Sequence, residues 1–321
     1  YGVNYQVIAW IEDFLTGHQE VVVEGEESSV ANVTSGVPQG SVIGPTMFLY
    51  YINDLPDNIK SVVRLFADDT VVYKTTDNHQ CLQEDLDQLA IWETNSDMEF
   101  HPMKCQHMTF SRKRNPDTQS IRLHDTEIPR ASTVKYLGVT LDPKIIWNTH
   151  IDNITNKANS TLGFIRRNVL TTSQSVKETA YKQLVRPVLE YASVAWDSIT
   201  DTLASRLESV QRRAARLICG IRKTDRKTST TGLLQQLNLP PLSQRRGDRR
   251  LKVFSQYHHH NSTVLAKYIT RSAHNSARRH QYQYFTPQTN TTHCRRSFFI
   301  RTAREWNLLP DTSPLLSPKC V

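Results

Sequence analysis

Val62-Val63-Arg64-Leu65-Phe66-Ala67-Asp68-Asp69-Thr70-Val71-Val72-Tyr73 sets two adjacent carboxylates between apolar, β-forming runs. The pattern predicts strand, tight turn, strand, with both aspartates at the tip of a hairpin. Adjacent carboxylates repel each other unless a cation lies between them. A turn that holds them between hydrophobic strands is therefore a candidate divalent-metal site. Asp also favours turns through its own backbone hydrogen bonding, so an ordinary polar turn is the competing reading of these residues.

The charge distribution bears on that choice. The formal net charge is +8, but the two parts of the chain differ in sign. Residues 1–140 hold 10 Lys/Arg and 20 Asp/Glu, a net of −10, whereas residues 141–321 hold 29 and 11, a net of +18. Such asymmetry points to nucleic-acid or membrane contact. No apolar run approaches the ~18 residues of a membrane span, and Val3 to Leu15 is too mixed for a signal peptide, so no membrane partner is expected. An acidic part with a cation site and a basic part suit an enzyme acting on a phosphate backbone. A basic surface that serves solubility alone is the alternative.

The five cysteines (Cys81, Cys105, Cys219, Cys294, Cys320) are scattered and odd in number. They form no disulfide framework, and a reducing compartment is expected. His79/Cys81 and Cys105/His107 are spaced too closely for the usual zinc fingers. His258-His259-His260 reads as a solvated helix face or loop.

Upstream of the hairpin lies Ser35-Gly36-Val37-Pro38-Gln39-Gly40-Ser41-Val42-Ile43-Gly44-Pro45. Three glycines and two prolines in eleven residues predict a structured loop. It leads into an apolar helix, Met47 to Ile52, with Pro45 near its start. Glycines there let backbone approach a ligand, and Gln39 offers a donor and an acceptor together. Before it, a short helix is predicted over Val7 to Leu15 and a strand over Glu20 to Val23. After the hairpin, Leu82, Leu86, Leu89 and Trp92 recur at helical spacing, with Glu84, Asp85 and Asp87 on other faces. Trp92 reads as core rather than as a base-stacking platform.

Gly36-Val37-Pro38-Gln39-Gly40-Ser41, Tyr51-Ile52-Asn53-Asp54-Leu55-Pro56, Phe66-Ala67-Asp68-Asp69 and Lys135-Tyr136-Leu137-Gly138-Val139 occur in that order. Trp147, His150-Ile151, Lys157-Ala158, Leu184 to Tyr191, Val210 to Arg216 and Arg304 to Pro310 follow. With these motifs the chain resembles, over nearly its whole length, the reverse transcriptase of non-LTR (LINE-type, jockey-like) retrotransposons. The resemblance implies an α+β fold: a partial polymerase palm, with an antiparallel sheet and helices, then a helical thumb and a helical basic C-terminal region. The implied divisions are 1–140, 141–223 and 224–321.

The family's metal-binding aspartates match Asp68 and Asp69, with Asp68 the primary ligand. Pro38, Gln39 and Gly40 would lie against the incoming nucleotide and templating base. Lys104 falls where the family has a lysine near the triphosphate, although His101-Pro102 stands where the family shows Asn-Pro. Tyr136-Leu137-Gly138 would grip the primer. Two Mg²⁺ ions are implied, with Mn²⁺ as the alternative. Template RNA, primer DNA and a dNTP are the implied partners, and the nucleus is the implied location. The family's other metal-binding Asp would lie upstream of Tyr1, as would fingers and an endonuclease; neither Asp13 nor Asp54 is its substitute. The chain begins with Tyr1 rather than Met, so a fragment is expected, inactive as a polymerase on its own. A decayed, non-catalytic nucleic-acid-binding remnant is the other function class.

Beyond residue 141 the pattern is helical. Ile151, Ile154, Ala158, Leu162 and Ile165 form one stripe, and a second helix is predicted over Val176 to Tyr191, kinked at Pro187. Leu203, Leu207, Val210, Ala214 and Leu217 form another stripe, too short for a coiled-coil seam. The tail carries Arg245-Arg246, Arg249-Arg250, Arg278-Arg279 and Arg295-Arg296 among Tyr282, Tyr284, Phe285, Phe298 and Phe299. Two readings stand side by side: a single-strand-binding surface, or aromatics packing a small helical domain while the arginines face solvent.

Overall fold

A computed structural model describes residues 2–75, 80–114, 119–169, 171–221, 225, 228–260, 262–272 and 280–317. His79, the Arg278-Arg279 pair and Cys320 lie outside the described residues. The chain divides into two compact units, residues 1–109 with 115–131 and residues 110–114 with 132–321.

The first unit is α+β. Its helix Tyr5–Leu15 starts at Asn4, whose side chain accepts from the Gln6 amide, and buries none of its residues. The predicted strand is shorter, Val22–Val23, paired antiparallel with Glu26–Glu27. Helix Gly44–Tyr51 has Pro45 in its first turn, where a missing N–H costs no helical hydrogen bond. Then come the hairpin Val62–Phe66/Asp69–Tyr73, helix Gln80–Asn95 and a small hairpin, Arg122–Leu123/Thr126–Glu127. Among the described residues every sheet is a two-stranded antiparallel ribbon, in keeping with the expected α+β fold. Isolated ribbons are marginal in water, and the small hairpin Arg122–Leu123/Thr126–Glu127 packs on helix Gln80–Asn95. Gln83 of helix Gln80–Asn95 exchanges two 2.9 Å hydrogen bonds with the Arg122 backbone. Ile121, Leu123 and Ile128 form a small core there, with Leu82, Leu86, Phe100 and Cys105 against it.

Among its described residues the second unit is helical apart from one hairpin, Val134–Tyr136/Val139–Leu141, and an isolated bridge between Arg271 and Tyr284. Helix Asn148–Asn168 buries Ile151, Ala158, Leu162 and Ile165, and packs against helix Asp201–Ile218, which buries Leu203, Leu207, Val210 and Ala214. The 4-3 spacing thus lines a core shared with Tyr181, Val185, Leu189, Trp196 and Leu242. The kink expected at Pro187 takes the form of a π-helical turn over Tyr181–Val185, between α-helices Gln174–Ala180 and Arg186–Glu190. The wider turn relieves the clash of a proline ring with the carbonyl four residues back. Among the described residues no helix is long and apolar enough to cross a membrane.

A second core gathers Phe254, Leu265, Ile269, Tyr284, Ala303, Trp306 and Leu316, with Phe298 and Phe299 packed against it. Both readings of the arginine pairs place them outward; the structure keeps Arg249 and Arg295 exposed but buries Arg246 and Arg250. On helix Leu242–His259, Arg246 and Arg250 are each 2% exposed. Arg246 Nε donates to Asp197 Oδ1 at 2.6 Å, and Arg250 pairs with Asp197 and Glu305. Arg245 and Arg249 both bind the buried Glu190. Helical spacing aligns 246 with 250 and 245 with 249, and each row meets its own acid.

Of the histidine run, His260 is exposed, as a solvated face requires, but His258 is not. His258 is buried in the second core and shares a 2.7 Å hydrogen bond with the Tyr284 hydroxyl. Burial pulls its pKa down to about 4, with the charges of His259, Arg271 and His280 acting in the same direction. From about 6.5, its ordinary value, downward, the unfolded chain takes a proton that the folded chain refuses. Folding stability therefore falls as pH drops through that window and levels off below the folded pKa. Between pH 7 and pH 5 about 2 kcal/mol is expected to be lost at this site. Urea midpoints of wild type and His258→Gln at the two pH values read the difference; equal losses in both chains would contradict it.

Candidate functional site

The Asp68-Asp69 tip is built by a two-residue turn. Phe66 pairs with Asp69, leaving Ala67 and Asp68 as the connection. Ala67 adopts φ +50°, as the twist of a tight hairpin demands at its first turn position. Asp68 is therefore the turn residue and Asp69 opens the return strand, both exposed. The entry to this hairpin is pinned by a residue whose part the sequence pattern hides. Asp85, read as lying off the apolar stripe, is 1% exposed. Its carboxylate accepts the Lys60 amide at 2.8 Å and the Ser61 amide at 3.0 Å. Spacing gives a faint signal of this, since Asp85, Leu89 and Glu93 share one helical face and all three are buried. Trp92 is half-buried and donates its indole N–H to Asp54 Oδ1 at 3.0 Å.

The glycine loop is a closed turn. Pro38 O accepts from the Ser41 hydroxyl at 2.8 Å and from the Ser41 amide at 3.3 Å, and Ser41 Oγ accepts the Gly44 amide at 3.0 Å. Gly36 and Gly40 both adopt φ +84°, open to glycine at no steric cost. A Cβ on Gly44 would lie 2.7 Å from Ser41 Oγ and 3.1 Å from Pro38 O. Gln39 and Gly40 at the crown are exposed. Lys104 ends the 3₁₀ turn Pro102–Lys104 and is also exposed. The aspartates, the loop and Lys104 all belong to the first unit; Tyr136-Leu137-Gly138 belongs to the second.

In that second unit, Leu137 and Gly138 connect Val134–Tyr136 to Val139–Leu141 with φ +43° and +80°. Two left-handed residues make the tightest hairpin turn. The Tyr191 hydroxyl donates to Leu137 O at 3.0 Å. His150 supports the return strand, its Nδ1 accepting the Thr140 amide at 3.2 Å. Burial lowers the His150 pKa, which favours the neutral ring that this acceptor role requires.

Among the described residues no group of three or more His, Cys, Asp or Glu gathers as a metal cage. Asp68 and Asp69 offer two adjacent carboxylates at an open tip. That donor set fits a hard cation such as Mg²⁺, which keeps several waters and takes one or two carboxylates along with substrate phosphates. Cys105 and His107 read as structural. The thiol packs on the small core, where burial and then Glu93 push its pKa up, and His107 Nδ1 bonds Ile128 O at 3.0 Å.

Residues 2–141 match the family described as reverse transcriptase (RNA-dependent DNA polymerase). The chain is similar to the RNA-directed DNA polymerase from mobile element jockey of Drosophila melanogaster, 30% identical over 62% of this chain and 23% of that protein. It is similar to the probable RNA-directed DNA polymerase from transposon X-element of the same species, 28% identical over 60% of this chain and 22% of that protein. The jockey polymerase of Drosophila funebris is 27% identical over 79% of this chain and 28% of its own length. The chain thus spans less than a third of the length of these relatives.

Proposed function

We propose that this chain, whose residues 2–141 match the reverse transcriptase family, forms part of an RNA-directed DNA polymerase of a non-LTR retrotransposon. The reaction is attack of a primer 3′-hydroxyl, losing its proton, on the α-phosphate of a dNTP, with cleavage of the α–β phosphoanhydride bond and release of pyrophosphate, templated by RNA. The observation that carries this reading is the tight hairpin that presents Asp68 and Asp69 together in the matched segment.

Asp68 and Asp69 would hold Mg²⁺, or Mn²⁺ in its place. Bound there, the metal would stabilise charge on the attacking and leaving oxygens. Pro38, Gln39 and Gly40 form the crown against which the incoming nucleotide and templating base lie; Gln39 supplies a donor and an acceptor, and Gly40 lets the backbone approach. Lys104 supplies a positive charge for the triphosphate. Tyr136-Leu137-Gly138 grips the primer backbone through a turn free of side-chain bulk at Gly138. Residues 141–223 act as the thumb along the duplex, and residues 224–321 as the basic region beyond it. Copying at a nicked chromosomal site would place the reaction in the nucleus.

A second reading is favoured by one observation: two carboxylates are fewer than a metal cage, and no third acid joins them among the described residues. On that reading the chain binds primer–template and does not extend it. Primer extension on an RNA template with Mg²⁺, run beside a binding measurement on the same duplex, separates the two. Template-dependent products that vanish with chelator support the polymerase. Tight, salt-sensitive binding without extension at any protein concentration supports the second reading.

A further inference from the structure

The Leu137-Gly138 turn is strained, and one distant side chain holds it. A non-glycine residue in the left-handed region costs about 1–2 kcal/mol, and Leu137 sits there at φ +43°. Tyr191, 54 residues on in the chain, takes both halves of the turn. Its hydroxyl donates to Leu137 O, and its ring lies so close over Gly138 that a Cβ there would come within 3.1 Å of Tyr191 Cε1. Glycine at 138 therefore answers two demands, a positive φ and the approach of an aromatic ring.

Tyr191 is itself held firmly. Its amide donates to Pro187 O at 2.9 Å and its carbonyl accepts the Trp196 indole N–H at 2.9 Å. The preceding residue, Glu190, is gripped by Arg245 and Arg249, and Arg249 Nη1 also bonds the Glu190 carbonyl at 2.7 Å. Yet Tyr191 as a whole is 57% exposed. A large aromatic anchored at its backbone, open on one side and pressed on a strained turn, suits a brace better than a core residue.

We infer that Tyr191 is a positioning residue that holds the Leu137-Gly138 turn in the shape with which it meets the primer backbone. The inference rests on the primer-gripping part proposed for that turn. Three chains test it: wild type, Tyr191→Phe and Tyr191→Ala. Amide hydrogen exchange over 134–141 is read together with the Kd for a labelled RNA–DNA primer–template.

Loss of the hydroxyl in Tyr191→Phe is expected to speed exchange at the turn about three- to tenfold, the worth of one hydrogen bond, and to weaken Kd by a similar factor. Tyr191→Ala, losing the ring as well, is expected to do more of both. Exchange unchanged in both variants overturns the inference. Exchange faster with Kd unchanged overturns its link to the primer. Kd weakened only in Tyr191→Ala, with exchange unchanged, would mean that the ring touches nucleic acid directly, which also overturns it. Neither readout needs catalysis, so a wild-type chain that extends no primer counts against the polymerase reading alone.

Discussion

Carried in a full-length version of the polymerase, Asp68→Asn is expected to lower primer extension on an RNA template by roughly a thousandfold or more, while primer–template affinity stays within about twofold of wild type. The substitution keeps shape and changes charge. Asn is as well suited as Asp to a turn, and Asp68 occupies the connection of the hairpin rather than a strand position, so the fold has no cause to respond. A neutral amide is a far poorer ligand for a hard dication than a carboxylate. Losing a negative charge beside a nucleic-acid backbone would, if anything, strengthen binding. The rate and the affinity should therefore part company. The measurement is a single-turnover extension rate at saturating dNTP, with Kd from the same labelled duplex. Equal extension by wild type and Asp68→Asn would remove Asp68 from the metal site. A parallel fall in rate and affinity would make it a binding residue instead.

Asp69→Asn serves as the internal comparison. Asp69 opens the return strand and pairs with Phe66, so its backbone is fixed by the ladder whatever its side chain. If both carboxylates serve one cation, each substitution alone removes most of the activity and the double variant adds little, as is usual for residues that act as a unit. Independent, multiplying losses would separate their parts.

The hairpin was legible because three local signals agree: β-branched runs, a two-residue connection and polar residues at its tip. The helices Asn148–Asn168 and Asp201–Ile218 were legible from apolar residues at three and four spacings, a pattern that core burial imposes directly. What escaped depends on partners far along the chain. Asp85 looks like any solvated acid on a helix until the Lys60 and Ser61 amides arrive from 25 and 24 residues away. The arginine pairs of helix Leu242–His259 suggest an outward surface because charged residues are seldom buried unless paired. Their acids, Glu190 and Asp197, sit about fifty residues upstream. The brace from Tyr191 to Leu137 is equally distant, and the glycine it covers looks like an ordinary turn glycine. The Asp68-Asp69 tip is thus local information, whereas the ties made by Asp85, Glu190, Tyr191 and Asp197 are not.

The buried acid Asp197 should carry the largest stability effect in the second unit. Its Oδ1 accepts Arg246 Nε at 2.6 Å, its Oδ2 meets Arg250 and Arg301, and its carbonyl accepts Arg301 Nη1 at 2.9 Å. Two of these arginines are 2% exposed, and burial, the leading cause in each case, pulls the pKa of Arg246 and of Arg250 down. That direction means that the charged guanidinium is disfavoured by its surroundings and depends on the carboxylate beside it. Asp197→Asn leaves hydrogen-bonding shape in place and removes the compensating charge, so about 3–5 kcal/mol of folding stability is expected to go. A urea midpoint followed by far-ultraviolet circular dichroism reads this. Arg246→Met alone, which removes a buried charge together with its dependence on Asp197, is expected to cost less, and Arg246→Met with Asp197→Asn to cost less than the two losses added. Additive losses, or an Asp197→Asn loss below about 1 kcal/mol, would mean that water reaches these guanidinium groups and that the helix Leu242–His259 is held by its apolar face alone. The contrast with Asp68 is physical. One aspartate is exposed at a turn, where its charge is free for a ligand; the other is buried under three arginines, where its charge is already spent on the fold.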